Sequence, residues 1–171
     1  MNKENRSSYV AFLGIFTAVA LILAFIESQI PTFIPIPGVK LGLPNIAIVI
    51  ILYKLGFKES LIINVVRVLI ISLLFGSALS LIYSLSGAIL STLLMGLLKH
   101  FNYVNMITVS VIGAVCHNIT QVIVAMFILE LNQLIYYLPI LLISGTISGI
   151  FIGLIAAIIC KRIDLKKEKD V

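Results

Sequence analysis

Charged residues are scarce in this chain. They make up 11% of its 171 residues, against 61% that are hydrophobic, and the mean hydropathy is +1.20. Soluble domains carry about 25% charged residues. A separate soluble domain is therefore excluded, and nearly the whole length belongs in a bilayer. Aspartate is scarcer still, with only Asp164 and Asp170 near the C-terminal end. A cluster of aspartates holding Mg²⁺ against diphosphate oxygens has no source in the apolar body, so the chain alone is expected not to be an enzyme. Cys116 and Cys160 lack CxxC spacing and sit in apolar runs, where they read as small apolar fillers. Of the two histidines, only His117 falls within an apolar run, so no metal, haem or other cofactor is expected. The net charge of +5 lies mostly in the terminal segments. It reads as membrane topology, not as nucleic-acid binding.

Long apolar runs are what the chain does have. A spanning helix needs about 20 apolar residues, so the length allows five to seven spans. Six are read here, over about Tyr9–Ile30, Asn45–Leu55, Ser60–Phe75, the stretch after Gly76–Ser80 to Leu98, Val104–Leu129 and Leu134–Cys160. The first run has no small-residue cleavage site and is read as a retained span. The expected fold is an all-α membrane protein, a single integral domain over residues 1–171 with tails at 1–8 and 161–171. Six spans put both tails on one side. That side then holds Lys3, Arg6, Lys54, Lys58, Lys99 and the five Lys and Arg residues of Lys161–Lys169, and the other side holds only Lys40. This asymmetry makes both termini cytoplasmic. No duplicated half is visible that would mark an inverted-repeat transporter.

Four of the five prolines fall between Glu27 and Asn45. Proline fixes φ and lacks an N–H, so this connection is irregular backbone. Such backbone is tolerated at a membrane only against protein or a wet cavity, and it reads as the cap of a binding site. Arg67 is the most informative residue. A charge at bilayer depth costs at least about 2.5–3.5 kcal/mol and is seldom left without a partner. Arg67 either faces a polar cavity, with Asn64 one turn earlier on the same face, or pairs structurally with Glu27. Glu27 is equally readable as a rim residue or a partner of Arg67 or Lys40. Lys40 reads as a pocket residue or a headgroup contact, and Asn45 as a pocket residue or an N-cap. His117, Asn118 and Gln121 lie within one helical turn, as a cavity wall or as interhelical glue. Gly145, Gly149, Gly153 and Ala157 form a packing face. Gly14 with Ala18, and Ala20 with Ala24, place small residues four apart, for internal packing or for docking a subunit.

Several of these segments together resemble a known family. They are Glu27-Ser-x-Ile-Pro31, Pro37-Gly-Val-Lys-Leu-Gly-Leu-x-Asn45, Arg67-Val-Leu, Tyr83-Ser-Leu-Ser-Gly87 and Gly113-Ala-x-x-His117-Asn-x-x-Gln121. The chain resembles the Gx transporter family, also labelled heptaprenyl diphosphate synthase component I. That family looks related to the substrate-binding S-components of energy-coupling-factor (ECF) importers. The resemblance covers about Val10 to Cys160. It implies an S-component-like bundle in a bacterial plasma membrane, with a small vitamin-like or isoprenoid- or quinone-related substrate held under the loop between spans one and two. The substrate contacts would come from Glu27, Lys40, Asn45, Asn64, Arg67, His117, Asn118 and Gln121. It also implies a membrane-embedded coupling subunit with separate ATPases, docking on Gly14 and Ala18 or on Ala20 and Ala24. Two alternatives stand beside it: a non-catalytic membrane partner of a prenyl diphosphate synthase, and a membrane component of quinone- or flavin-linked electron transfer.

Overall fold

The computed structural model describes residues 3–30, 41–101 and 104–162, and every regular element among them is helical. In chain order these are α1 (Lys3–Gln29), α2 (Leu43–Lys54), α3 (Phe57–Phe75), α4 (Ala78–Phe101), α5 (Met106–Leu129), a 3₁₀ helix (Asn132–Tyr137) and α6 (Leu138–Arg162). Four stretches are long and apolar enough to cross a membrane: Tyr9–Gln29, α4, α5 and Asn132–Arg162. At 1.5 Å per residue, the 19-residue α3 is about 28 Å long, close to the roughly 30 Å of bilayer hydrocarbon. The 12-residue α2 is only about 18 Å long. That is shorter than the hydrocarbon thickness.

Helix α2 forms the centre of the core. Every residue from Ile46 to Leu52 is buried, which matches its apolar character on all faces. It packs against α1, α3 and α6. Its side chains cluster with Ala20 of α1, Ile63 of α3, Met95 of α4, Val109 of α5 and Ile152 and Ala156 of α6. The start of α2 is set by Gly42, at φ 75° and ψ 23°, a left-handed conformation open mainly to glycine. Pro44 follows in the first turn, where its missing N–H costs no helical bond. The other helices pack in series, α3 on α4, α4 on α5 and α5 on α6. The glycine face read in the sequence lies at the last of these contacts. A Cβ on Gly149 would stand 2.7 Å from Val111 Cα, and one on Gly153 would stand 2.7 Å from Ile107 Cα.

Several element limits differ from the expectation. Helix α4 already begins at Ala78, because Ser77 and Ser80 cap each other reciprocally at 3.2 and 2.9 Å and shorten the turn to Gly76–Ser77. Phe57–Glu59 belong to α3, not to the preceding turn, which is reduced to Leu55 and Gly56. Leu134–Tyr137 are 3₁₀, not part of α6. Pro139 has no N–H to donate to the residue-135 carbonyl, so the regular helix starts only at Leu138. Asn105 caps α5, its side chain accepting from Thr108 N at 2.8 Å.

One end of the bundle is tied together by polar contacts. Tyr9 donates to the Glu59 carboxylate, joining the start of α1 to the start of α3. Lys99, near the end of α4, donates to the Leu52 carbonyl and lies 5.3 Å from the Tyr53 ring centre. The packing predicts a sharp contrast between two glycines. Gly149→Ala should destabilise the protein by about 1–3 kcal/mol through overpacking, whereas Gly14→Ala, with nothing within 4 Å of the added carbon, should be neutral or slightly stabilising. Unfolding of both variants in detergent checks this.

Candidate functional site

Arg67 lies in α3 at 9% exposure. Its Nη2 donates to Asn64 Oδ1 at 2.6 Å. Asn64 is 2% exposed, and its Nδ2 donates to Thr92 Oγ1 at 2.8 Å and to the Ala88 carbonyl at 3.4 Å. Thr92 in turn donates to the Ala88 carbonyl at 2.7 Å. A chain of neutral hydrogen bonds from α4 therefore aims the guanidinium. Arg67 Nε is buried and has no hydrogen-bond partner among the described residues. An unmet buried donor costs about 1–3 kcal/mol, and more when charged.

A cavity of about 240 Å³ adjoins this group. It draws its walls from every α-helix: Ala24, Glu27 and Ser28 of α1, Asn45 of α2, and Arg67, Val68, Ile71 and Ser72 of α3. Ser84 of α4, Ala114, His117, Asn118 and Gln121 of α5, and Gly145 and Ser148 of α6 complete it, with Ile30 and Gly42. Ile30 and Gly42 flank the proline-rich connection, so the hollow sits at the end of the bundle where that connection begins and ends. Glu27 accepts a hydrogen bond from Gly42 N, fastening the end of α1 to the start of α2. A carboxylate is favoured there by the partial positive charge of the helix N-terminus. Glu27 is within electrostatic range of Arg67, but its hydrogen bond goes to α2.

On the α5 wall, Asn118 Nδ2 donates to the Leu141 carbonyl at 2.7 Å and Gln121 Nε2 to Ser84 Oγ at 3.3 Å. These two residues are interhelical ties and cavity walls at once. The neighbouring helices come close because they offer glycine. A Cβ on Gly145 would stand 2.6 Å from Asn118 Nδ2, and one on Gly87 would stand 3.1 Å from His117 Nδ1.

A model of the heptaprenyl diphosphate synthase component I family matches residues 16–159. The chain belongs to that family. No curated protein and no solved structure matches it significantly. The family match spans the whole cavity lining, from Ala24 to Ser148.

In this member of the heptaprenyl diphosphate synthase component I family, six of the eight residues expected at a site line one hollow: Glu27, Asn45, Arg67, His117, Asn118 and Gln121. Two do not. Asn64 is spent on Arg67 and Thr92 and does not line the cavity, so it positions the arginine. Lys40 lies outside the described residues, as do Pro31, Pro35 and Pro37. Asn45 is not the N-cap of α2; Gly42 is, and Asn45 N donates to the Gly42 carbonyl at 2.9 Å inside the first turn. The small residues of α1 separate into two faces. Ala20 and Ala24 are buried at 0% and 5% exposure within this chain, which leaves Gly14 and Ala18 on the outer surface.

The serines were missed. Ser28, Ser72, Ser84 and Ser148 all line the cavity. A serine in an apolar helix commonly bonds back to its own backbone, as Ser148 does to Gly145 O at 3.2 Å. Its type therefore carries little positional signal. Ser28 and Ser84 alone had a hint, in the Glu27–Pro31 and Tyr83–Gly87 segments. The relay predicts that Asn64→Leu, which takes the acceptor from a buried cation, should cost at least about 1–3 kcal/mol. Thr92→Val should cost less, since Asn64 keeps Ala88 O. Denaturant titration in detergent measures both.

Proposed function

We propose that this family member is a multi-pass, non-catalytic membrane subunit that captures a small molecule, in the manner of an ECF substrate-binding subunit. The observation that carries this reading is Arg67 Nε, a buried cationic donor without a partner among the described residues, beside a polar hollow. Such a donor is stabilised when a ligand supplies the missing acceptor. The hollow draws on all six α-helices, so a bound molecule would tie them together. In this reading α2 and α3 complete six spans with the four long apolar stretches. Both tails face the cytoplasm, for the charge asymmetry described above, and the cavity opens toward the other face of a bacterial plasma membrane. The protein would form one integral domain.

The outer face of α1 supports a docking role for a coupling subunit. Gly14 has nothing within 4 Å of its missing side chain, and Ala18 is exposed beside it. Small residues four apart admit a close helix partner in lipid. The family's own description favours a second reading, a membrane partner of a separate prenyl diphosphate synthase. On that reading catalysis would belong to the partner, since both aspartates of this chain lie in its tail.

Isolation of the protein with its partners from native membranes separates the two. A membrane coupling subunit with ATPases is the expected result, and recovery of a soluble, aspartate-rich synthase in their place would reverse it. The combined change Gly14→Leu and Ala18→Leu should lower recovery of the coupling subunit about tenfold, equivalent to about 1.4 kcal/mol, with the unfolding midpoint unchanged.

A further inference from the structure

The cavity's charges narrow what it takes, granted the capture reading above. Among its described lining residues only two carry formal charge, Glu27 and Arg67, and they cancel. A bound anion would leave the pair and its ligand with a net negative charge, at a depth where uncompensated charge is costly. Asn118 and Gln121 spend amide N–H groups on Leu141 O and Ser84 Oγ. Each keeps a second amide N–H and its carbonyl oxygen, so each can both donate to and accept from a ligand. The Glu27 carboxylate accepts one bond from Gly42 N and has capacity for more. Arg67 Nε is a buried donor with no partner among the described residues. The volume, about 240 Å³, falls just below the usual range of small-molecule sites, about 300–1,000 Å³.

We propose that the cavity selects a small, net-neutral molecule, with a carbonyl or carboxylate acceptor for Arg67, an N–H donor for Glu27 and amide-like groups that pair with Asn118 and Gln121. Zwitterions and uncharged amide-bearing heterocycles share this chemistry. Prenyl diphosphates, multiply anionic and without N–H donors, do not. The charge balance makes Glu27 a specificity residue: with it neutralised, the same cavity favours an anion.

The test uses the full chain in lipid nanodiscs and reads its thermal unfolding midpoint. The probes are the small-molecule filtrate of a bacterial cell extract, split at pH 7 by ion exchange into neutral-plus-zwitterionic, anionic and cationic pools, and isopentenyl diphosphate alone. The neutral-plus-zwitterionic pool should raise the midpoint by roughly 5–10 °C at about a hundredfold excess over Kd. Isopentenyl diphosphate should leave it unchanged. In Glu27→Gln the stabilising activity should move to the anionic pool. Arg67→Lys, which keeps the charge but not the guanidinium donors, should need at least tenfold more of the neutral pool. Stabilisation of the unaltered protein by the anionic or cationic pool, or by isopentenyl diphosphate, overturns the inference while capture stands. So does a Glu27→Gln variant that still prefers the neutral pool. If no pool stabilises the unaltered protein, capture itself fails and this inference falls with it.

Discussion

The Arg67 guanidinium is taken out of water and given an uncharged amide, Asn64, as its hydrogen-bond partner among the described residues. A cation in a medium of low dielectric constant needs compensation, because the desolvation penalty grows faster than one neutral hydrogen bond can offset. Here the compensation is spread. Asn64 and Thr92 orient the group from α3 and α4, Glu27 acts on it at longer range, and a polar hollow lies alongside. The hollow and the arginine depend on each other. An apolar filling would isolate the charge, and an apolar residue at position 67 would leave polar walls facing one another.

The short α2 explains how that hollow is built inside so small a bundle. A full-length helix in its place would carry side chains through the space that the cavity occupies. Ending α2 at Gly42, about 18 Å from its other end, leaves a gap into which α1, α3, α4, α5 and α6 all present polar residues. A short helix surrounded by protein keeps its backbone paired along its length. Only its termini need outside partners. Both have them: Glu27 receives Gly42 N at one end and Lys99 donates to Leu52 O at the other.

Family membership and site chemistry bear on different parts of the question. The family description names a component of a prenyl diphosphate synthase, a complex whose substrates are multiply anionic. Among its described lining residues the cavity sets one carboxylate, Glu27, against one guanidinium, Arg67. On the charge-balance inference drawn above, a chain that serves such a synthase would hold something other than the diphosphate in its own hollow.

Much of this protein was legible before folding. Apolar runs of spanning length, two tail aspartates and a lone mid-span arginine determined a helical membrane protein with one polar focus, because lipid excludes unpaired backbone and unpaired charge wherever they occur. The residues flanking the proline-rich stretch and the His117–Gln121 turn were recognisable for the same reason, as polar groups with no apolar use. Which of them meet was decided only by tertiary structure. Asn64 and Arg67 share a helix face, yet one became a support and the other a wall, according to where Thr92 of α4 lay. The pairs Gly14–Ala18 and Ala20–Ala24 look alike along the chain and face opposite ways, because α2 and α3 cover one side of α1 and leave the other open. Periodicity tells which residues of a helix lie together, and only packing against the neighbouring helices determines what they lie against.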